Sequence, residues 1–276
     1  MSDNIHALII DPNKDFCDPN GALYVPGSEK DIERGVKFLR KILHKIDDIH
    51  CTIDMHHNLD ISHPLYWMNS KGEHPPIQSP PYIITLDDVK NKKWFPTIRG
   101  YKDAFGTIDE WTLYYFEQLE KKYGKTQHMI FNPHCLIGSD GVQIVPELFE
   151  VLCEWENKYK GFVDYVVKGT NFKCEHFSGL MAEVPDPHDM TTQLNKSLIN
   201  TLKVADKILM VILEAETHCV RATVMDIINN FSEDEIKKLI LFEDTTSRIP
   251  GCEQLAEDFR KEAISKGMQI TRTTDY

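Results

Sequence analysis

The sequence predicts an α/β fold of the Rossmann type: three α-β-α layers around a mostly parallel central sheet of about six strands. Two observations carry this. Short runs rich in Ile and Val alternate with longer stretches whose apolar residues recur every three or four positions. Strands separated by helices in this way require a parallel sheet covered on both faces. A third observation sets the organisation. One long irregular excursion breaks the rhythm, so residues 1–276 read as a single domain carrying an insertion at about 69–126.

The strands are read at 5–10 (IHALII), 49–53 (IHCTI), 128–131 (HMIF), 163–167 (VDYVV), 208–213 (ILMVIL) and 239–242 (LILF). Among the helices, 28–46 opens on a Ser cap and aligns Ile32, Val36, Leu39, Ile42 and Leu43 on one face. Segments 191–205 and 219–231 share that spacing. The insertion clusters Pro, Gly and aromatic residues from HPPIQSPPYI onward and ends in an amphipathic helix at 108–124. Its neighbourhood holds Tyr66, Trp67, Trp94, Phe95 and Tyr101, expected mostly to pack the insertion.

Charge and cysteine usage narrow the function. A formal charge of −12 with no basic domain-sized segment argues against a nucleic-acid partner. The longest apolar run, ILMVIL, has strand length, and the N-terminus lacks a basic start before its apolar run. Neither a membrane span nor a secretory leader is expected, and the cytoplasm is the expected compartment. The seven cysteines are scattered, with no CxxC pair. This excludes a zinc ribbon or thioredoxin-like site and makes a disulfide framework unexpected. Most should be small buried hydrophobes.

In doubly wound sheets ligands sit beyond the carboxyl ends of the strands, so the residue after each apolar run is informative. Five successive runs end in chemistry-bearing residues: Asp11, Asp54 with His56, His134, Lys168, and Cys219 in EAETHCVRATVMD. Asp11, Lys168 and Cys219 form a nucleophile set. A lysine ammonium and a helix N-terminus both favour a thiolate, and Asp11 can accept the thiol proton and later deliver it to a leaving amine. Taken singly, each is more often a turn residue or a buried thiol; the conjunction carries the inference. Asp54, His56, His63 and His134 form a second set, one carboxylate and up to three imidazoles, suited to Zn²⁺, Fe²⁺ or Mn²⁺. Asp54 and His56 lie two apart and point the same way in an extended segment, whereas alternation turns His57 away.

From ALIIDPNKDFC through DMH, NPHC and VKG to ETHCVRATVMD, the chain resembles the cysteine hydrolases of the isochorismatase-like superfamily, most closely the nicotinamidases and pyrazinamidases. The order Asp, metal ligands, Lys, Cys is collinear with that family. The resemblance implies a metal-containing amidohydrolase that converts nicotinamide or a similar small amide to the acid and ammonia through a cysteine thioester. Cys219 would be the nucleophile, Asp11 the general base and acid, and Lys168 the cation holding both. The backbone N–H groups of Ala215, after a cis Glu214–Ala215 peptide, and of Cys219 would form the oxyanion hole. A divalent ion, zinc before Fe²⁺ or Mn²⁺, would sit on Asp54, His56, His63 and His134 and bind the pyridine nitrogen. Phe16, Phe131, Phe177 and His218 would wall the substrate. Family members are often oligomeric, so a homo-oligomer is compatible with the resemblance. One rival is a related hydrolase of another small amide, carbamoyl or ureido compound; the other is a non-catalytic scaffold of the same fold.

Overall fold

A computed structural model describes residues 3–98, 100–123 and 128–276, so residues 99 and 124–126 of the expected insertion lie outside the described residues. The aliphatic runs build the central sheet from β1 (Ile5–Ile10), β2 (Asp48–Asp54), β3 (Asp164–Lys168), β4 (Lys207–Leu213) and β5 (Leu239–Phe242), closed at one edge by β6 (Gln269–Thr271). All pairings are parallel, in the order β3-β2-β1-β4-β5-β6. The strand order reverses between β1 and β4, the place where a doubly wound sheet opens a crevice at its carboxyl edge.

The central strands β1 and β4 are buried on both sides because both sides are covered. Ala7, Ile9, Leu209 and Val211 face a cluster completed by Leu39 of helix Ser28–Ile42 and by Leu148 and Leu152 of helix Pro146–Tyr159. Leu8, Ile10 and Met210 face the other cluster, with Leu202 of helix Lys196–Val204, Val224 and Ile227 of helix Arg221–Asn230 and Phe259 of helix Glu253–Ser265. The three-layer arrangement expected from the sequence is the one observed.

One run lies elsewhere. The stretch expected as a strand at 128–131 forms His128–Ile130, which pairs antiparallel with Tyr82–Ile84 outside the main sheet. Its place as sixth strand is taken by β6. The reason is local: the His128 ring packs among Trp67, Tyr115 and Phe116, so this strand belongs to a third apolar cluster. That cluster contains Tyr66, Trp67, Trp94 and helix Ile108–Tyr123, which supplies Trp111 and Phe116. Among the described residues no helix is long and apolar enough to cross a membrane.

A bulge interrupts β4 next to the crevice. Leu8 pairs with Met210 but Ile10 pairs with Leu213, so β4 carries one extra residue there. Ile212 takes φ 58°, rare for a β-branched residue, and its side chain lies over Gly35 of helix Ser28–Ile42. A Cβ on Gly35 would stand 2.2 Å from Ile212 Cγ1. Overpacking of this kind costs about 1–3 kcal/mol, more than the roughly 1 kcal/mol that alanine gains over glycine in a helix. Gly35→Ala is therefore expected to lower the urea midpoint; an unchanged or raised midpoint would show that Ile212 yields without cost.

Candidate active site

Register and backbone turns bring the strand-end residues together. Asp54 and Lys168 close β2 and β3 and are paired across them, so both side chains leave the same face. Asp11 follows β1 in a left-handed conformation, φ 53°. Its N–H donates to Thr52 O at 3.2 Å and Oγ1 at 3.0 Å, and its Oδ1 accepts from Thr52 Oγ1 at 2.6 Å. Lys168 lies at the centre, only 2% exposed. Its Nζ stands 2.7 Å from Asp54 Oδ1, 3.1 Å from Asp11 Oδ2, 2.9 Å from His176 O and 3.9 Å from Cys219 Sγ. Burial works against the ammonium, but Asp11, Asp54 and Cys219 outweigh it and hold the charge well above the usual lysine range. Burial also lifts the Asp11 carboxyl, against the pull of Lys168.

Cys219 sits within a π-helical turn, Glu216–Val220, that runs into helix Arg221–Asn230. The turn is anchored from below. Glu216 is fully buried and accepts from Arg248 Nε at 3.0 Å and from Arg260 Nε. Two expectations change here. The Glu214–Ala215 peptide is trans, the cis bond among the described residues being Ser79–Pro80. The chain reverses instead through Ala215, at φ 58° and ψ 63°. The Ala215 N–H has no hydrogen-bond acceptor among the described residues. The thiol is also not a resting thiolate: burial pushes it well above the ordinary cysteine range, Lys168 opposes this, and Asp11 and Asp54 add to it. Glu214, with both oxygens buried and unpartnered, is likewise held neutral, first by burial and then by Asp31 and Asp11.

Beside Lys168, the second carboxylate oxygen of Asp54 meets two imidazoles. His56 Nε2 is 2.9 Å and His134 Nε2 3.4 Å from Asp54 Oδ2. Each ring is tied through its other nitrogen, His56 Nδ1 to Asp60 Oδ2 at 3.1 Å and His134 Nδ1 to Asn132 O at 2.8 Å. This is how ligand histidines are oriented, and it leaves three donor atoms within 4.8 Å of one another, a set that fits a divalent ion. Burial opposes a charged His56, but Asp54 and Asp60 overcome it, so an incoming metal would displace a proton there. His63 falls outside this trio. Its Nε2 faces His134 Nδ1 at 3.3 Å and its Nδ1 is unpartnered. His57 is exposed.

A small pocket adjoins both sets, and Phe16, Phe131, Phe177 and His218 all line it with Cys219, Lys168, Asp54 and Ala215. Phe131, Phe177 and His218 meet edge to face, with centroids 5.5–6.4 Å apart. Tyr66, Trp67, Trp94 and Tyr101 are not part of the wall; they pack in the third cluster. The cavity also contains a residue that sequence reasoning missed. Glu175 is buried with Oε2 unpartnered, and burial lifts its carboxyl to about 8. The available signal was its place seven residues after Lys168, in the loop that also carries Phe177.

The fold, with a crevice at its switch point, is one that solved nicotinamidases and pyrazinamidases share. Among solved structures, the yeast nicotinamidase Pnc1p superposes with a TM-score of 0.64 at 18% identity, over 97% of this chain and 99% of that one. The Pyrococcus horikoshii pyrazinamidase in complex with zinc matches with a TM-score of 0.55 at 18% identity, over 98% and 99%. PnC1 from L. infantum in complex with nicotinate gives 0.56 at 17% identity, over 99% and 95%. At these identities the likeness is one of fold. No protein-family model matches the sequence, and no curated protein matches it.

Glu175 yields a pH test. Its carboxyl is held neutral in the folded chain up to about 8, against 4.5 when solvated. The folded state thus retains a proton that the unfolded state has released across that window, and stability falls as pH rises through it. In chelator-treated protein, Glu175→Gln is expected to gain on the wild type by up to about 1.4 kcal/mol per pH unit. Urea unfolding at pH 5 and pH 8 measures this; parallel pH profiles would show Glu175 already ionised.

Proposed function

We propose that the chain is a cysteine amidohydrolase acting on nicotinamide or a similar small heteroaromatic amide. The observation that carries the reading is the convergence of Asp11, Cys219 and the Asp54–His56–His134 trio on one Lys168 ammonium beside an aromatic cavity. The fold shared with nicotinamidases supports it. Seven free cysteines and the lack of a membrane-length helix among the described residues support a cytoplasmic setting.

In the reading, the aromatic ring of the substrate lies between Phe131, Phe177 and Phe16, with its amide against Cys219. The Cys219 sulfur forms a bond to the amide carbon as the thiol proton moves to Asp11, and the carbonyl electron pair shifts onto oxygen. The unpartnered Ala215 N–H and the Cys219 N–H receive that oxyanion. A thiol kept neutral by burial suits this order, because sulfur gains charge only as Asp11 takes the proton. The C–N bond then breaks, Asp11 returns its proton to the departing nitrogen, and ammonia leaves a thioester. Water adds to the thioester carbon as Asp11 takes its proton. The C–S bond breaks, the acid is released, and the proton returns to Cys219. Lys168 holds both the carboxylate and the sulfur throughout. Asp54, His56 and His134 would hold a divalent ion, zinc by its donor set, which when bound supplies a Lewis acid for a ring nitrogen. Glu175, as a neutral acid, can donate a hydrogen bond into the cavity.

Ammonia release from a panel of small amides is the direct test. Cys219→Ala is expected to lower turnover of nicotinamide by about 10³-fold or more with folding retained. Near-wild-type turnover in that variant would remove Cys219 from the mechanism. Chelation is expected to raise KM for nicotinamide more than for benzamide, which has no ring nitrogen. Equal effects, or activity confined to a carbamoyl or ureido compound, would favour the related hydrolase.

A further inference from the structure

The sheet face that carries Asp54 and Lys168 bears a second group of ligand side chains at its other end. His6 stands opposite Asp48 in the β1–β2 register, and His50 stands opposite Asp164 in the β2–β3 register. Asp48 and His50, two residues apart, leave β2 on the same face. The four residues therefore form a row across three strands. Thr52 and Val166 separate it from Asp54 and Lys168, a span of about 13 Å at the strand rise. Nothing in the reaction above uses it.

The chemistry of the row is that of a metal site. His6 and His50 are 3% and 1% exposed. His6 Nδ1 is 3.1 Å from His50 Nε2, and Asp48 Oδ2 is 3.8 Å from that same nitrogen. His50 is clamped from behind, its Nδ1 donating to Asp164 Oδ2 at 2.9 Å. The clamp leaves the Nε2 lone pair facing His6 and Asp48, the carboxylate–histidine arrangement that orients metal ligands. The three donor atoms lie within 4.8 Å of one another. Tetrahedral zinc with bonds near 2.0–2.1 Å separates its nitrogen ligands by about 3.3 Å, so the imidazoles need to part by only a few tenths of an ångström. The Asp48 side chain is 34% exposed, which gives the ion a route in and leaves a position for water.

We propose that His6, His50 and Asp48 hold a second divalent ion, of the zinc class, that ties the starting ends of β1 and β2 together. As the ion enters, the His6 proton moves from Nδ1 to Nε2, and His50 keeps its proton on Nδ1 toward Asp164. The test is the zinc content of full-length protein after zinc loading and desalting, measured elementally. His6→Gln and Asp48→Asn are each expected to lose one equivalent relative to wild type. Asp164→Asn is expected to weaken that equivalent by about 10- to 100-fold in a competition titration. Zinc should also raise the thermal midpoint of the wild type more than that of Asp48→Asn. Asp48 is partly exposed, so its variant decides the matter even if His6→Gln does not fold. Equal zinc content in wild type and Asp48→Asn overturns the proposal and leaves the two imidazoles a hydrogen-bonded pair. The readout is metal content, so the outcome does not depend on the amidase reading.

Discussion

The buried ammonium of Lys168 is the interaction on which the rest of the site depends. A lone charge at this depth would be prohibitively costly; two carboxylates and a carbonyl make it tenable. Those carboxylates come from different strands and different halves of the site, Asp11 beside the thiol and Asp54 among the imidazoles. Removing the ammonium would leave two acidic groups facing each other without a counter-charge. The turn that delivers Lys168 is equally constrained. Gly169 follows at φ 82°, and a Cβ there would come within 2.9 Å of Met55 O.

Around this cation the backbone is held in uncommon conformations. Asp11, Ile212 and Ala215 all have positive φ, and the extra residue in β4 lies just before the turn that carries Cys219. Such conformations persist only where the surroundings over-determine them. Here the Thr52 hydrogen bonds hold Asp11, Gly35 makes room for Ile212, and the Glu216–Arg248–Arg260 anchor fixes the cysteine turn. Cys219 is thus positioned by sheet geometry and by a buried ion-pair network, not by its own helix alone.

Much of this was legible in the sequence. The aliphatic runs marked five of the six sheet strands because burial on both faces demands continuous Ile, Val and Leu. Asp11, Asp54, Lys168 and Cys219 were legible because a parallel sheet collects its strand ends in one place. What escaped depended on packing that a linear reading does not contain. β6 has only three residues, none fully buried, so no aliphatic run announced it. His128–Ile130 reads as a sheet strand until its aromatic neighbours claim it. Glu175 looks like any loop carboxylate until the fold strips it of water and partners. The Glu214–Ala215 peptide is trans and the chain reverses at Ala215, φ 58° and ψ 63°, a conformation that residue types did not dictate.

The alternation along β2 has a further consequence. Strands buried on both sides are nearly uniform in hydrophobicity, and a slip of one residue against a neighbour would cost little by burial alone. In β2, His50, Thr52 and Asp54 line one face while Ile49 and Cys51 belong to the aliphatic cluster on the other. A one-residue slip would drive an imidazole, a hydroxyl and a carboxylate into that cluster and strand Lys168 without its partner. The polar row therefore acts as a ratchet against misaligned folding. The side chains proposed for chemistry would also be among those that keep the chain from settling into the wrong pairing.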